Sequence, residues 1–321
     1  MKKKYNNLLI KFFSRPETPV LVFLFFLIFI ISIFTSNFLT VANLKGILEQ
    51  VVVISIIALA VNQVIYGAEI DISTGSLLAV CAFVYGLVAM ETGGSWIALL
   101  ASLLCGFIFG LFNGFLSTYG KVPSIIVTLG MLFILRGGLL LSNPGTVLNL
   151  IEPMRFFGMG NIFGLPVSIY CLIIVIIFYH FLSFNTLWGR NIIAIGGNPR
   201  AAVNIGLPIN KVRMLSFVGS GTMCGFAAAV YLGQAGQIQA TAATGFELKV
   251  IAAVVLGGTS IAGGRGSNFS PVVGALLVGV ILNALTLNRI PPYYELFVLG
   301  LLILIAVSFD GFRRKLLEKD V

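Results

Sequence analysis

"VVVISIIALAVNQVIYGAEIDISTGSLLAVCAFVYGLVAM", residues 51–90, decides the fold. Two apolar runs flank the break "GAEIDISTGS" (67–76), which carries Glu69 and Asp71. Neither run shows the polar stripe that would give a helix a water-facing side. Each must be solvated by lipid or by other helices, with the break turning the chain at a membrane boundary.

The rest of the chain repeats this design. Apolar runs separated by Gly, Pro, Asn and charge give about ten candidate helices, near 19–35, 46–66, 74–90, 95–118, 123–142, 166–184, 212–234, 246–258, 271–288 and 293–309. The segment 246–258 is short for a span and reads as a tilted helix or a half-helix ending at Gly257-Gly258. The chain is 58% hydrophobic and 10% charged, with a mean hydropathy of +1.05. A soluble domain carries about a quarter charged residues, so the expectation is an all-α integral membrane protein with interrupted helices.

The net charge of +9 flanks the apolar runs, with Lys2, Lys3, Lys4, Lys11 and Arg15 before the first and Arg313, Arg314, Lys315 and Lys319 after the last. That is the positive-inside pattern and not a nucleic-acid footprint. An N-in, C-in arrangement places about fifteen of the twenty Lys and Arg on the cytoplasmic side. The reading is one polytopic domain, 1–321, with cytoplasmic tails at 1–18 and 310–321 and a cytoplasmic segment at 185–212. The first apolar run lacks a small-residue cleavage site in "TSNFLT" (35–40), so an uncleaved helix is expected. Cys81, Cys105, Cys171 and Cys224 are scattered within apolar runs and indicate neither a disulfide framework nor a zinc site. No metal site is expected.

The stretch "AIGGNPRAAVNIGLPINKVR" (194–213) is polar but has helix punctuation. Asn198 is a candidate N-cap, Pro199 sits at N1, Gly206 supplies a left-handed residue, and Pro208 prevents continuation. A short cytoplasmic helix over 199–205 follows, either a plain surface tie or a docking element. Asp71 or Ser73 reads as the cap of the next helix, at an interface where a carboxylate costs little. A proton-relay role for Glu69 and Asp71 is the alternative. Asn62, Gln63, Asn113, Thr128 and Asn283 lie within spans and either bond between helices or line a wet path. Gly106, Gly110 and Gly114, and again Gly221 and Gly225, have the spacing for close helix packing. Arg136 sits in the outer part of its span, where it can snorkel or meet a carbonyl. His180 lacks catalytic partners and reads as interfacial packing.

"GGTSIAGGRGS" (257–267) lacks a Walker A pattern, and "GFLSTYGKV" (114–122) misses it in both glycine spacing and the Ser/Thr position. ATP hydrolysis by this chain, and enzymatic activity generally, are not expected. Each half also carries a Gly/Ser-rich break ending in Gly-Ser, at Gly75-Ser76 and Gly266-Ser267, a pattern found in transport machinery.

"EIDISTGSLLAV", "GRNIIAIGGNPRAAVNIGLPINKVR" and "IAAVVLGGTSIAGGRGSNFSPVVGALLVGVILNAL" resemble the permease subunits of bacterial ABC importers for ribose and related monosaccharides. The likeness runs from about residue 20 to 310. It implies an all-helical inner-membrane permease without a cofactor of its own. The implied partners are ATP-binding subunits, a second permease copy or paralogue, and an extracytoplasmic substrate-binding protein. It implies that Asn198, Pro199, Arg200, Ala201, Ala202, Asn204 and Gly206 dock the ATPase. Gly257, Gly258, Thr259, Ser260, Gly263, Gly264, Arg265 and Gly266 match the family's signature loop. Asn62, Gln63, Glu69, Asp71, Asn113 and Asn283 are the candidates for the path itself. Two departures bear on the solute. Ala68-Glu69 stands where the family commonly has Gly-Gly, and Lys249 stands where ribose permeases often carry an acid. Autoinducers, nucleosides and branched-chain amino acids are therefore alternative solutes, and an ion-gradient transporter using Glu69 and Asp71 is the rival mechanism.

Overall fold

The computed structural model describes residues 17–318, with side chains described for 18–308. Lys2, Lys3, Lys4, Lys11, Arg15 and Lys319 of the charge argument lie outside the described residues, as do the side chains of Arg313, Arg314 and Lys315.

All ten anticipated segments are helical. They are α1 (Glu17–Phe34), α2 (Val41–Tyr66), α3 (Thr74–Thr92), α4 (Ser95–Thr118), α5 (Ser124–Ser142), α7 (Val167–Asn185), α10 (Ile209–Ala235), α11 (Phe246–Leu256), α12 (Ser270–Leu287) and α13 (Tyr293–Glu318). Seven of these are long and apolar enough to cross a membrane by length and composition, with shorter apolar stretches at Thr18–Phe34 and Tyr293–Ser308. The eleven-residue α11 rises about 16 Å, roughly half a hydrocarbon core. It is the half-helix.

The run Val51–Tyr66 is buried at every position. A helix that is apolar all round belongs at the centre of a bundle, and α2 contacts α7, α10, α11 and α12 there. The outer helices instead present large apolar side chains, including Phe25, Phe26 and Phe29 of α1, Phe133 and Ile134 of α5, and Ile174 and Ile177 of α7. Lipid is the solvent that tolerates such a surface.

In lipid, helices associate through packing and polar contacts rather than a hydrophobic drive. The α4–α10 seam shows the packing. A Cβ on Gly106 would overlap the Gly221 carbonyl, one on Gly110 would stand 2.6 Å from Phe217 O, and one on Gly225 would overlap Ser102 O. The expected role of these glycines holds. Asn43 and Asn283 supply the polar glue, exchanging amide hydrogen bonds at 3.0 and 2.8 Å between α2 and α12.

Four features differ from the sequence reading. The last helix, α13, continues to Glu318, nine residues past its expected end at 309 and into the segment read as a tail. α2 starts at Val41 because Thr40 caps it, accepting from Asn43 N at 3.4 Å. Polar residues in the first turn had masked that start. β1 (Val147–Asn149) pairs antiparallel with β4 (Gln237–Gln239), joining a loop of each half. A short helix, α6 (Phe156–Met159), and a hairpin of β2 (Asn161–Ile162) with β3 (Leu165–Pro166) complete the 143–165 loop. Finally, 185–212 holds two helices instead of one, α8 (Leu187–Gly197) and α9 (Pro199–Asn204). Thr186 caps α8 by accepting from Gly189 N at 3.2 Å, and Ile192 and Ile195 are its buried face.

Candidate functional site: a glycine-packed module and a buried polar seam

The caps read from the sequence are present in α9. Asn198 Oδ1 accepts from Ala201 N at 3.0 Å, Pro199 occupies N1, and Gly206 has φ +75. The helix ends one residue earlier than expected. Arg200, Ala201 and Asn204 are exposed, as are Asn198, Pro199 and Gly206. Val203 and Ile205 add an apolar surface, 62% and 73% exposed. Ala202 is buried, in a small cluster with Tyr66, Ile192, Ile195 and Val212. Six of the seven candidate docking residues therefore face outward, and Ala202 anchors the helix from behind. Val203 and Ile205 were missed because apolar residues in a greasy chain carry no signal until the helix is known to stand clear of it.

Beneath α9, three chain segments meet backbone to backbone. Gly264 N donates to Tyr66 O at 3.0 Å. A Cβ on Gly196 would overlap the same carbonyl, and one on Gly264 would overlap Gly197. Gly263 packs on Ala68. Only glycines permit these approaches, and the positive φ at Gly263, Gly264 and Gly266 adds a second reason for them. α8, the inner end of α2 and the loop 257–269 are thereby joined as one unit.

Side chains extend that unit inward. Thr259 Oγ1 donates to Asn62 Oδ1 at 2.7 Å, and Asn62 Nδ2 donates to Ser267 O. Gln63 Nε2 reaches Asn268 Oδ1 at 3.5 Å, and Ser183 Oγ donates to Gln63 Oε1 at 3.3 Å. Asn62 and Gln63 therefore bond between segments. Gly257 abuts Ser270 O, and Gly258 turns the chain with φ +104. Ser260 N bonds Arg265 O at 3.0 Å, closing the loop.

The two breaks share a backbone turn. Gly67, Ala68 and Glu69 donate to Gln63, Ile65 and Val64, and Gly257, Gly258 and Thr259 donate to Ala253, Val255 and Val254 in the same order. The faint repeat seen at Gly75-Ser76 and Gly266-Ser267 has a structural counterpart here, where α2 and α11 end.

Asp71 requires a correction. It was expected at an interface, capping the next helix, and it is only 1% exposed. Its Oδ1 accepts from Ser73 N and Ser73 Oγ at 3.0 and 2.7 Å, and its Oδ2 accepts from Ser220 Oγ at 2.8 Å. Ser73 occupies the N-cap position of α3 without a side-chain cap bond. Ser220 is seven residues into α10 from Arg213, or about 10 Å along the helix. The 67–73 segment therefore runs inward rather than along the surface. Asn113 Nδ2 donates to Ser73 Oγ at 2.9 Å and joins the same seam. Glu69 lies apart from it, paired with Arg213 Nη1 at 2.7 Å beside a polar cavity of about 340 Å³ that Lys121 and Asn210 also line.

Arg136 meets carbonyls, as anticipated, donating to Ala240 O and Ala242 O at 2.9 and 2.7 Å. Thr128 Oγ1 bonds Ser124 O within α5, and His180 packs against Phe184 and Phe269. Among the described residues no three His, Cys, Asp or Glu side chains group as metal ligands.

A family model described as "Branched-chain amino acid transport system / permease component" matches residues 43–307. The chain is 34% identical to the ribose import permease of Escherichia coli K12 over 300 residues, covering 92% of this chain and 94% of that protein. It is 32% identical over 286 residues to the L-arabinose ABC transporter permease of Azospirillum brasilense, covering 88% and 84%. It is 31% identical over 315 residues to an autoinducer 2 import system permease of Escherichia coli O9:H4, covering 98% and 92%. No solved structure matches the chain.

Proposed function

Because this chain belongs to the branched-chain amino acid transport system permease family, as a sugar ABC-importer permease of the bacterial inner membrane, we propose that it carries a monosaccharide such as ribose along a path it forms with a second permease copy. Separate ATP-binding subunits drive the step, and a substrate-binding protein delivers the sugar to the outer face. Relatives named for ribose, L-arabinose and autoinducer 2 support a sugar-like solute. Both termini lie in the cytoplasm in this reading, with the ten helices forming one transmembrane domain.

The observation that carries the mechanism is the glycine-packed unit of α8, the end of α2 and the loop 257–269. An ATP-binding subunit seated on α9 through Pro199, Arg200, Val203 and Ile205 pushes on a body packed backbone to backbone. Its closure is passed to α2 at the centre of the bundle and to α11 and α12 through Thr259 and Ser270. Rigid helices then rock, and the path changes its accessible side.

The test is ATP-dependent uptake in proteoliposomes holding the permease, its ATP-binding subunits and the binding protein. Arg200→Glu should abolish uptake while the permease melts normally. Unchanged uptake would remove α9 as the docking element. The ion-gradient rival, built on the buried Asp71 carboxyl, predicts uptake in vesicles without ATPase that an ionophore collapses.

A further inference from the structure

Two separate pairs of opposite charge lie near the N-terminal end of α11, on different faces of the helix. Lys249 Nζ and Glu295 Oε2 are 3.1 Å apart, with side chains 21% and 28% exposed. Glu247 stands in the first turn of α11, and its Oε2 has no hydrogen-bond partner among the described residues. Arg136 holds the carbonyls of the segment leading into α11 and is near enough to Glu247 for their charges to interact.

Their depth follows from neighbouring contacts. A Cβ on Gly75 would collide with Glu247 Oε2. The preceding residue, Thr74, offers its carbonyl to Cys224 Sγ at 3.8 Å. Cys224 lies near the middle of α10, about 22 Å from its inner end. Glu247 therefore sits near mid-depth, and Lys249, two residues on, lies within about 3 Å of that level along the helix axis. Partly exposed charges at that level face a wet cavity or a protein partner and not lipid.

The Lys249–Glu295 pair balances its own charge, which favours neither an anion nor a cation. What the group offers is fixed donors and acceptors, and a hydroxyl can accept from an ammonium while donating to a carboxylate. Tyr293 and Tyr294, exposed with ring centroids 4.9 Å apart, precede Glu295 and add aromatic surface.

We propose that the Lys249–Glu295 pair lines the translocation path and contacts the hydroxyl groups of a neutral polyhydroxylated solute. This rests on the permease reading above and adds the surface that the solute meets inside the membrane. Arg136 is a positioning residue that fixes the segment ahead of α11.

The experiment pairs two measurements on the full complex. In the first, Lys249→Met and Glu295→Gln are compared with the unmodified complex for sugar uptake, ATP hydrolysis and melting. Each should lower uptake about tenfold or more, the loss expected of a charge-assisted hydrogen bond, with hydrolysis and melting little changed. In the second, Glu295→Cys in membranes is treated with a charged, water-soluble thiol reagent, and the unmodified chain sets the background. Labelling above background is expected. Absence of labelling overturns the wet wall, and labelling with uptake within about twofold of the unmodified complex overturns solute contact. If the unmodified complex imports no sugar, the importer reading falls, and the labelling alone still upholds or overturns the wet wall.

Discussion

The carbonyl of Tyr66, at the last residue of α2, accepts a hydrogen bond from Gly264 N at 3.0 Å, 198 positions along the chain by number. Gly196 presses on the same oxygen with no room for a Cβ. One backbone atom thus ties the most buried helix to the loop ahead of α12 and to the helix that carries α9.

The first prediction concerns that junction. Gly196→Ala should destabilise the permease by about 1–3 kcal/mol, the usual cost of overpacking a tight interior, and should reduce uptake further than hydrolysis. Gly197→Ala is the control, because a Cβ there meets nothing within 4 Å among the described residues. Detergent melting curves and uptake measured side by side decide it. Equal behaviour of the two variants would show that the contact does not matter.

A second prediction separates the two faces of α9. Val203→Glu changes an exposed side chain and should leave stability within about 0.5 kcal/mol while loosening the ATP-binding subunits. Ala202→Leu should do the reverse, forcing volume into a buried cluster. Co-purification of the subunits, set against melting temperature, reads both outcomes.

The third prediction addresses Asp71. Asp71→Asn keeps an acceptor for Ser73 and a polar group for Ser220, so the fold should persist. Asp71→Ala strands the hydroxyls that Asp71 binds and should cost about 1–3 kcal/mol. With energy supplied by ATP, Asp71→Asn should also retain uptake. A well-folded Asn variant without uptake would indicate ion coupling instead.

The fourth prediction tests packing in lipid. Gly106→Ala should lower the melting temperature, because its Cβ would overlap the Gly221 carbonyl and force α4 from α10. Gly130→Ala on α5 meets nothing within 4 Å among the described residues and should be neutral, within about 0.5 kcal/mol.

The sequence was informative wherever the signal is local. Apolar runs bounded by Gly, Pro and Asn placed ten helices within a few residues, the start of α2 and the end of α13 aside, because a hydrophobic run must leave water whatever its neighbours are. α9 was legible from Asn198, Pro199 and Gly206, since caps are set by residues three or four positions apart. α8 was not. Its inward face is Ile192 and Ile195, and amid so many apolar residues that stripe has no contrast.

Depth and partnership were settled by the tertiary structure alone. Asp71 reads as an interfacial cap until Ser220, 149 positions away, is found on its carboxylate. Lys249 reads as an odd charge until Glu295, 46 positions on, is found beside it. Ala202 looks like its exposed neighbours until the cluster behind it is known. The sequence by itself determined that the chain crosses a membrane many times and roughly where most of its apolar helices lie, because transfer from water and helix capping depend on a residue and its near neighbours. Only the tertiary structure decided which polar groups face one another inside, because the low dielectric there makes the partner of a charge, and not the charge alone, set its cost.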